Sequence, residues 1–250
     1  MDKAPERTLR LVIEYDGTAY RGWQRQSDGP SIQEVLEEKV AVMTGGAVGI
    51  VGSGRTDAGV HALNQVASFR TTSRIPPLGF LRGLNSLLPA DIVVKELDDV
   101  DPAFHARRGV KTKIYLYRIF NGLARPAIYR HYAWHIIKPL ALDRMRQAAA
   151  HLVGTHDFTS FCSVHCDVED HVRTVSSLLV EGPGNGIVKI SVEANGFLRH
   201  MVRIIAGTLA ETGLGKFAPD DIRDILAAGD RRRAGMTAPA CGLFLKEVKY

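Results

Sequence analysis

The sequence predicts an α+β protein, two similar halves sharing one continuous antiparallel sheet with helices on one face. Three features of its 250 residues lead there. Runs of alternating apolar and polar residues recur in both parts of the chain, helical repeats of apolar residues separate them, and the element order seen before Asp101-Pro102 starts again after it. The expected division is 1–106 and 107–250, and a cleft between two such halves is a natural place for a ligand.

In the first half a strand is expected over residues 8–15, where Leu9, Leu11, Ile13 and Tyr15 alternate with Arg10, Val12 and Glu14. Asp16-Gly17 then turns the chain. Ser31-Ile32-Gln33-Glu34 has the capping-box pattern, in which serine and carboxylate side chains satisfy the first N–H groups of a helix. Ile32, Val35, Leu36, Val40 and Met43 follow at helical spacing, which predicts a helix over 32–43 ended by Gly45-Gly46. Strand-like runs come next at 48–53, 65–71 and 92–96, with a connecting helix near 78–88 after the Pro76-Pro77 breaker.

The second half opens with a strand over 111–120 and a helix whose Leu142, Met145, Ala149, Leu152 and Val153 share a face before Gly154. A hairpin follows, with strands over 174–181 and 187–194 and a long glycine-rich turn from Gly182 to Gly186. Met201, Val202, Ile205 and Leu209 mark a helix over 198–212; another starts after Pro219, and a strand over 243–248 closes the chain.

With 45% hydrophobic residues the chain can build its core without staples. Its three cysteines, Cys162, Cys166 and Cys241, make a disulfide framework unexpected. MDKAPERTLR carries charges where a secretory leader needs an apolar stretch, and no window reaches the ~20 apolar residues of a membrane span. A reducing cytoplasm, without membrane contact, is the expected setting. The net charge of +5 suits a polyanionic partner, because clustered Lys and Arg neutralise phosphates. Beyond Arg231-Arg232-Arg233 and the stretch Arg107, Arg108, Lys111, Lys113, Arg118 the charge is dispersed, and a solvated basic face accounts for it as well.

The most unusual segment is Gly52-Ser53-Gly54-Arg55-Thr56-Asp57-Ala58-Gly59-Val60-His61. Its glycines allow positive φ and close approach of a ligand. A P-loop needs Lys and Ser/Thr where Val60 and His61 stand, and a dinucleotide fingerprint needs Gly where Asp57 stands. What is left is a carboxylate, Asp57, two residues from a guanidinium, Arg55, on a tight turn after a strand. A nearby arginine keeps a carboxylate ionised, which suits a nucleophile or base. An Asx-type turn, in which Asp57 bonds only backbone N–H groups, fits the same residues.

Gly54-Arg55-Thr56-Asp57-Ala58-Gly59-Val60-His61-Ala62 resembles the signature of the tRNA pseudouridine synthase I (TruA) family. Further segments match that family in order: Glu14 to Gln26, Phe104-His105-Ala106-Arg107, Lys113-Ile114-Tyr115-Leu116-Tyr117-Arg118, Asp157-Phe158-Thr159-Ser160-Phe161, Asn195 to Arg203, and Gly242-Leu243-Phe244-Leu245. The resemblance covers nearly the whole chain. It implies the pseudouridine synthase fold with a central RNA-binding cleft, a homodimer, and isomerisation of uridine to pseudouridine at positions 38 to 40 of the tRNA anticodon arm.

By the same resemblance Asp57 is the catalytic carboxylate, attacking the ribose C1′ or taking a neighbouring sugar proton. Tyr115 is the aromatic that stacks on the extruded base, and Tyr117 shares its strand face. Arg55 holds Asp57 before substrate enters, Arg203 pairs with the same carboxylate, and Leu245 lines the uracil pocket. The family often carries basic residues where Ile114 and Leu116 stand, which leaves the contacts of that opposite strand face open. Such an isomerisation needs no redox carrier or energy source, so no cofactor is expected. Cys162, Cys166, His165 and His171 offer zinc-type donors but lack the paired spacing of a structural site, so no metal is expected either. A non-catalytic RNA-binding protein could use the same basic cleft; the complete motif around Asp57 argues against it.

Overall fold

The computed structural model describes residues 5–164 and 168–250. The chain forms two compact units, one running to Lys111 and including Leu245–Tyr250, the other Thr112–Phe244. The sequence puts the division at 106/107 and gives the C-terminus to the second half. In the structure the last residues join the first unit, because Lys111 N–H donates to Lys249 O at 2.8 Å, the Tyr250 hydroxyl donates to Ala106 O at 2.6 Å, and the Phe104 and Tyr250 rings lie 5.2 Å apart.

In the first unit β1 (Arg7–Tyr15) lies antiparallel between β3 (His61–Thr71) and β4 (Ile92–Val100), and β2 (Val51–Gly52) pairs with β3. Helix α1 (Ile32–Thr44) starts as the capping pattern predicts, with Ser31 Oγ accepting from Glu34 N–H at 3.3 Å, and buries Ile32, Leu36 and Val40. Helix α2 (Pro77–Leu87) buries Phe80 and Leu84, and Phe80 meets Phe69 of β3 at 5.7 Å. Leu9, Leu11, Ile13 and Tyr15 form the inner face of β1. Val12, outward by alternation, is buried too, since Val12, Val66 and Ala106 pack under Phe104, Val248 and Tyr250. The strand expected over 48–53 shrinks to Val51–Gly52 because side chains of α1 take the backbone of Ile50: Glu37 Oε1 accepts its N–H at 3.0 Å and Gln33 Nε2 donates to its carbonyl at 3.1 Å.

The second unit contains β5 (Thr112–Asn121), β6 (Trp134–Ile136), β7 (Gly154–Asp157), β8 (Val172–Gly184) and β9 (Ile187–Ala194), with the order β5-β9-β8-β7. β6 pairs parallel to β5, a departure from the all-antiparallel expectation that the long connection over 122–133 makes possible. The hairpin turn is shorter than its glycines suggest. β8 and β9 run on to the pair Gly184↔Ile187, and Asn185 (φ 52°) and Gly186 (φ 76°) alone make a two-residue turn of the type that matches strand twist. Helix α3 (Leu142–Ala150) packs on β8 and on α4 (Met201–Gly213), and α5 (Asp221–Ala228) packs near the 3₁₀ turn Thr159–Phe161. α4 is buried almost all round, so its apolar residues exceed the single face read from the sequence. β10 (Leu243–Lys249) closes the chain. No described helix is long and apolar enough to cross a membrane.

Candidate active site

The segment between β2 and β3 has no regular structure of its own, and its neighbours hold it. Ser53 N–H donates to Val66 O at 2.8 Å, Ser53 Oγ donates to Gln65 Oε1 at 2.6 Å, and Gln65 Nε2 donates to Gly54 O at 2.9 Å. Gln65 is fully buried, so both ends of its amide are satisfied inside the fold. Thr56 points inward, with its hydroxyl 2.8 Å from that of Tyr15 and its carbonyl accepting from Trp23 N–H at 3.1 Å. Burial pushes the Tyr15 hydroxyl well above the ordinary tyrosine range, so it stays protonated and can donate to Thr56. Gly59 N–H donates to Tyr20 O at 3.3 Å, and Val60 N–H closes a turn onto Asp57 O at 3.1 Å.

The segment from Asp16 to Trp23 forms the backing of this loop. At Gly22 (φ +94°) a Cβ atom would collide with the Thr56 carbonyl oxygen and lie 2.9 Å from the Asp57 carbonyl carbon. Only glycine allows that approach. Of the loop glycines, Gly59 takes positive φ (76°), whereas at Gly52 an added Cβ would lie 2.5 Å from the Trp23 ring, so its role is to admit the indole. Asp16 caps the short turn Gly17–Ala19, and its Oδ1 lies 3.0 Å from His61 Nδ1, which also accepts the Gly17 N–H at 3.1 Å.

Arg55 and Asp57 precede and follow the inward Thr56 in sequence. Asp57 is half-buried and Arg55 exposed. Among the described residues Arg55 enters no ion pair, so the Arg55–Asp57 pairing expected from their spacing is not formed. Leu245 lies in the part of β10 that belongs to this unit and is fully buried.

In the second unit Tyr115 and Tyr117 share a face of β5 but differ in surroundings. Tyr115 keeps 7% exposure and meets Phe197 edge-on at 4.9 Å. Tyr117 has none; its hydroxyl donates to Pro239 O at 2.8 Å, an added Cβ on Gly242 would lie 2.7 Å from its ring, and burial raises its pKa far above the ordinary value. Tyr117 is thus a packing residue, which its alternation with Tyr115 could not reveal. Arg203 on α4 is fixed by Nε donating to Ala238 O at 2.8 Å. His200, just before that helix, has φ 63°, a left-handed conformation uncommon outside glycine. Among the described residues no group of three or more His, Cys, Asp or Glu side chains could hold a metal ion; His165 and Cys166 lie outside them.

A model of the family described as tRNA pseudouridine synthase matches residues 11–107 and 148–250. The chain belongs to that family. Curated relatives named tRNA pseudouridine synthase A include that of Thermoanaerobacter sp. (strain X514), 46% identical over 244 residues, 98% of this chain and 100% of that one. That of Brevibacillus brevis is 49% identical over 242 residues, 97% of this chain and 99% of its own, and that of Myxococcus xanthus 45% identical over 242 residues, 97% and 91%. A solved Cbf5-Nop10-Gar1 complex aligns with TM-score 0.39 and 14% identity over 95% of this chain and 48% of that one.

As a pseudouridine synthase the chain is an isomerase, and its first unit offers a carboxylate on a loop buttressed from behind, the arrangement that positions a nucleophile or base. The buttressing residues Tyr15, Gly22, Trp23, Thr56 and Gln65 were not singled out by sequence reasoning. Four of the five lie inside the quoted motifs, but only the fold shows that those motifs meet at one loop.

Proposed function

We propose that the chain isomerises uridine to pseudouridine at positions 38, 39 and 40 in the anticodon stem-loop of tRNA, with Asp57 as its catalytic carboxylate and with no cofactor or metal. The observation that carries this reading is the half-buried Asp57 on a backbone tied to Trp23, Tyr20 and Gln65. Its carboxylate attacks the ribose C1′ or takes a neighbouring sugar proton. The N1–C1′ bond breaks, the uracil turns, and C5 bonds to C1′ as the Asp57–C1′ bond breaks or the sugar proton returns; C5 gives up its proton and N1 gains one, so atoms and electrons balance without a redox partner. Tyr115 stacks on the extruded base, Arg55 fills the space that the base leaves, and Arg203 and Leu245 supply charge and apolar lining. Substrate selection rests on the shape of the folded RNA, since the deep groove of A-form helices hides base edges. The enzyme works as a homodimer in the cytoplasm.

The test is Asp57→Asn, assayed on unmodified tRNA transcripts by mapping pseudouridine. Product is expected to vanish while the dissociation constant for tRNA stays within about threefold, because phosphate contacts dominate affinity. Turnover retained in the variant would remove Asp57 from its role, and wild-type protein that binds tRNA but forms no pseudouridine would favour a non-catalytic binder.

A further inference from the structure

An open cavity of about 690 Å³ lies in the first unit where the loop after α1, strands β2 and β3, and the segment 103–109 meet; none of residues 53–60 lines it. Resting on the reading above, we propose that it is a nucleoside-phosphate site that holds one further nucleotide of the bound RNA.

Its lining has the required chemistry. The basic lining residues are Arg70, Arg108 and His105. His105 Nδ1 accepts the backbone N–H groups of Arg107 at 3.2 Å and Arg108 at 3.3 Å, so the neutral ring carries its proton on Nε2 and that nitrogen is a donor. Arg108 is exposed. Arg70 is 3.6 Å from Glu6, but their side chains are 65% and 58% exposed, and such a surface pair yields readily to a phosphate. Val48, Val51 and Phe104 add apolar lining against which a base can lie. Pockets for small organic ligands are typically ~300–1,000 Å³, a range into which this cavity falls. Phe104-His105-Ala106-Arg107 and the basic stretch from Arg107 stand out in the sequence, yet none of their residues is among those assigned above to the reacting uridine.

The ligand chemistry has two sources, a nucleotide within tRNA or a free nucleotide, and the experiment separates them. Arg108→Glu reverses the charge of an exposed side chain, and Val48→Trp fills the cavity from its apolar lining; urea midpoints verify that each variant is folded. Both are assayed for pseudouridine formation on full-length tRNA, for tRNA affinity across a salt series, and for uridine monophosphate binding by NMR. Expected for Arg108→Glu are a KM and Kd for tRNA raised about tenfold, kcat within twofold, and a salt slope smaller by about one. Val48→Trp raises KM and Kd with the salt slope kept. Uridine monophosphate binding lost with tRNA parameters unchanged assigns the site to a free nucleotide, the same chemistry from the other source. No change in either variant with either probe overturns the proposal. If the wild type forms no pseudouridine, the proposed function fails, and tRNA Kd and uridine monophosphate binding still decide the cavity.

Discussion

Gly22→Ala adds one methyl group at the back of the loop that carries Asp57. The new carbon would collide with Thr56 O and stand 2.9 Å from the Asp57 carbonyl carbon. Carbon atoms rest at about 3.5–4.0 Å, so the loop has to retreat by about 0.6 Å at Asp57, and further at Thr56, or Gly22 has to move away. A displacement of ~1 Å at a reacting group costs on the order of 10²-fold in rate, so kcat should fall about tenfold to a hundredfold. Two destabilising effects add, about 1–2 kcal/mol for a side chain at φ +94° and about 1–3 kcal/mol for overpacking. Gly45→Ala is the control: that residue has φ +74° with nothing within 4 Å of its added Cβ, so it carries the strain without the collision. Single-turnover pseudouridine formation at saturating tRNA, with urea unfolding of both variants, separates the terms. Rates alike in Gly22→Ala, Gly45→Ala and wild type would refute the claim that this contact sets the position of Asp57.

Tyr15→Phe removes the hydroxyl partner of buried Thr56 and should cost about 1–2 kcal/mol of stability, with kcat lowered more than KM is raised; an unchanged kcat would detach Thr56 from loop positioning. Tyr117→Phe should cost about 1 kcal/mol with kcat kept, whereas Tyr115→Leu, which removes the ring proposed to stack on the base, should lower kcat; the reverse pattern would exchange their roles. Arg232, by side-chain and backbone hydrogen bonds, holds the Asp230 carboxyl at about 2, so its stabilisation is present above the ordinary carboxylate pKa and is lost as pH falls through about 2. Arg232→Ala should raise that pKa in a carboxyl NMR titration and reduce acid stability, while a midpoint that stays put would show the pair to be incidental.

Elements with a long regular period were legible in the sequence. β1, α1 and the β8–β9 hairpin stand close to where alternation and capping place them, whereas β6 and β7 span too few residues to show a period. β2 was shortened by an effect no local pattern contains, the capture of Ile50 by Gln33 and Glu37 one helix away. The site divides similarly. Asp57 and its glycines stand out by composition, but partners of the loop such as Tyr15, 41 positions from Thr56, are remote in sequence, and Trp23 and Tyr20 act through backbone N–H and C=O groups, which are the same in every residue. Spacing suggested an Arg55–Asp57 pair because proximity in sequence was read as proximity of side chains; among the described residues Arg55 enters no ion pair.

Positioning and affinity are therefore assigned to different kinds of group. The bonds that tie the loop to Tyr15, Tyr20, Trp23 and Gln65 involve uncharged donors and acceptors, several of them buried, where salt screens little and satisfied hydrogen bonds hold their geometry. The proposed RNA contact of Arg108, by contrast, is that of an exposed cation, whose contribution would depend on ionic strength. A net charge of +5 consequently says something about the partner and nothing about the location of the reacting carboxylate, while a glycine with no room for a methyl group identifies the backbone that has to stay still.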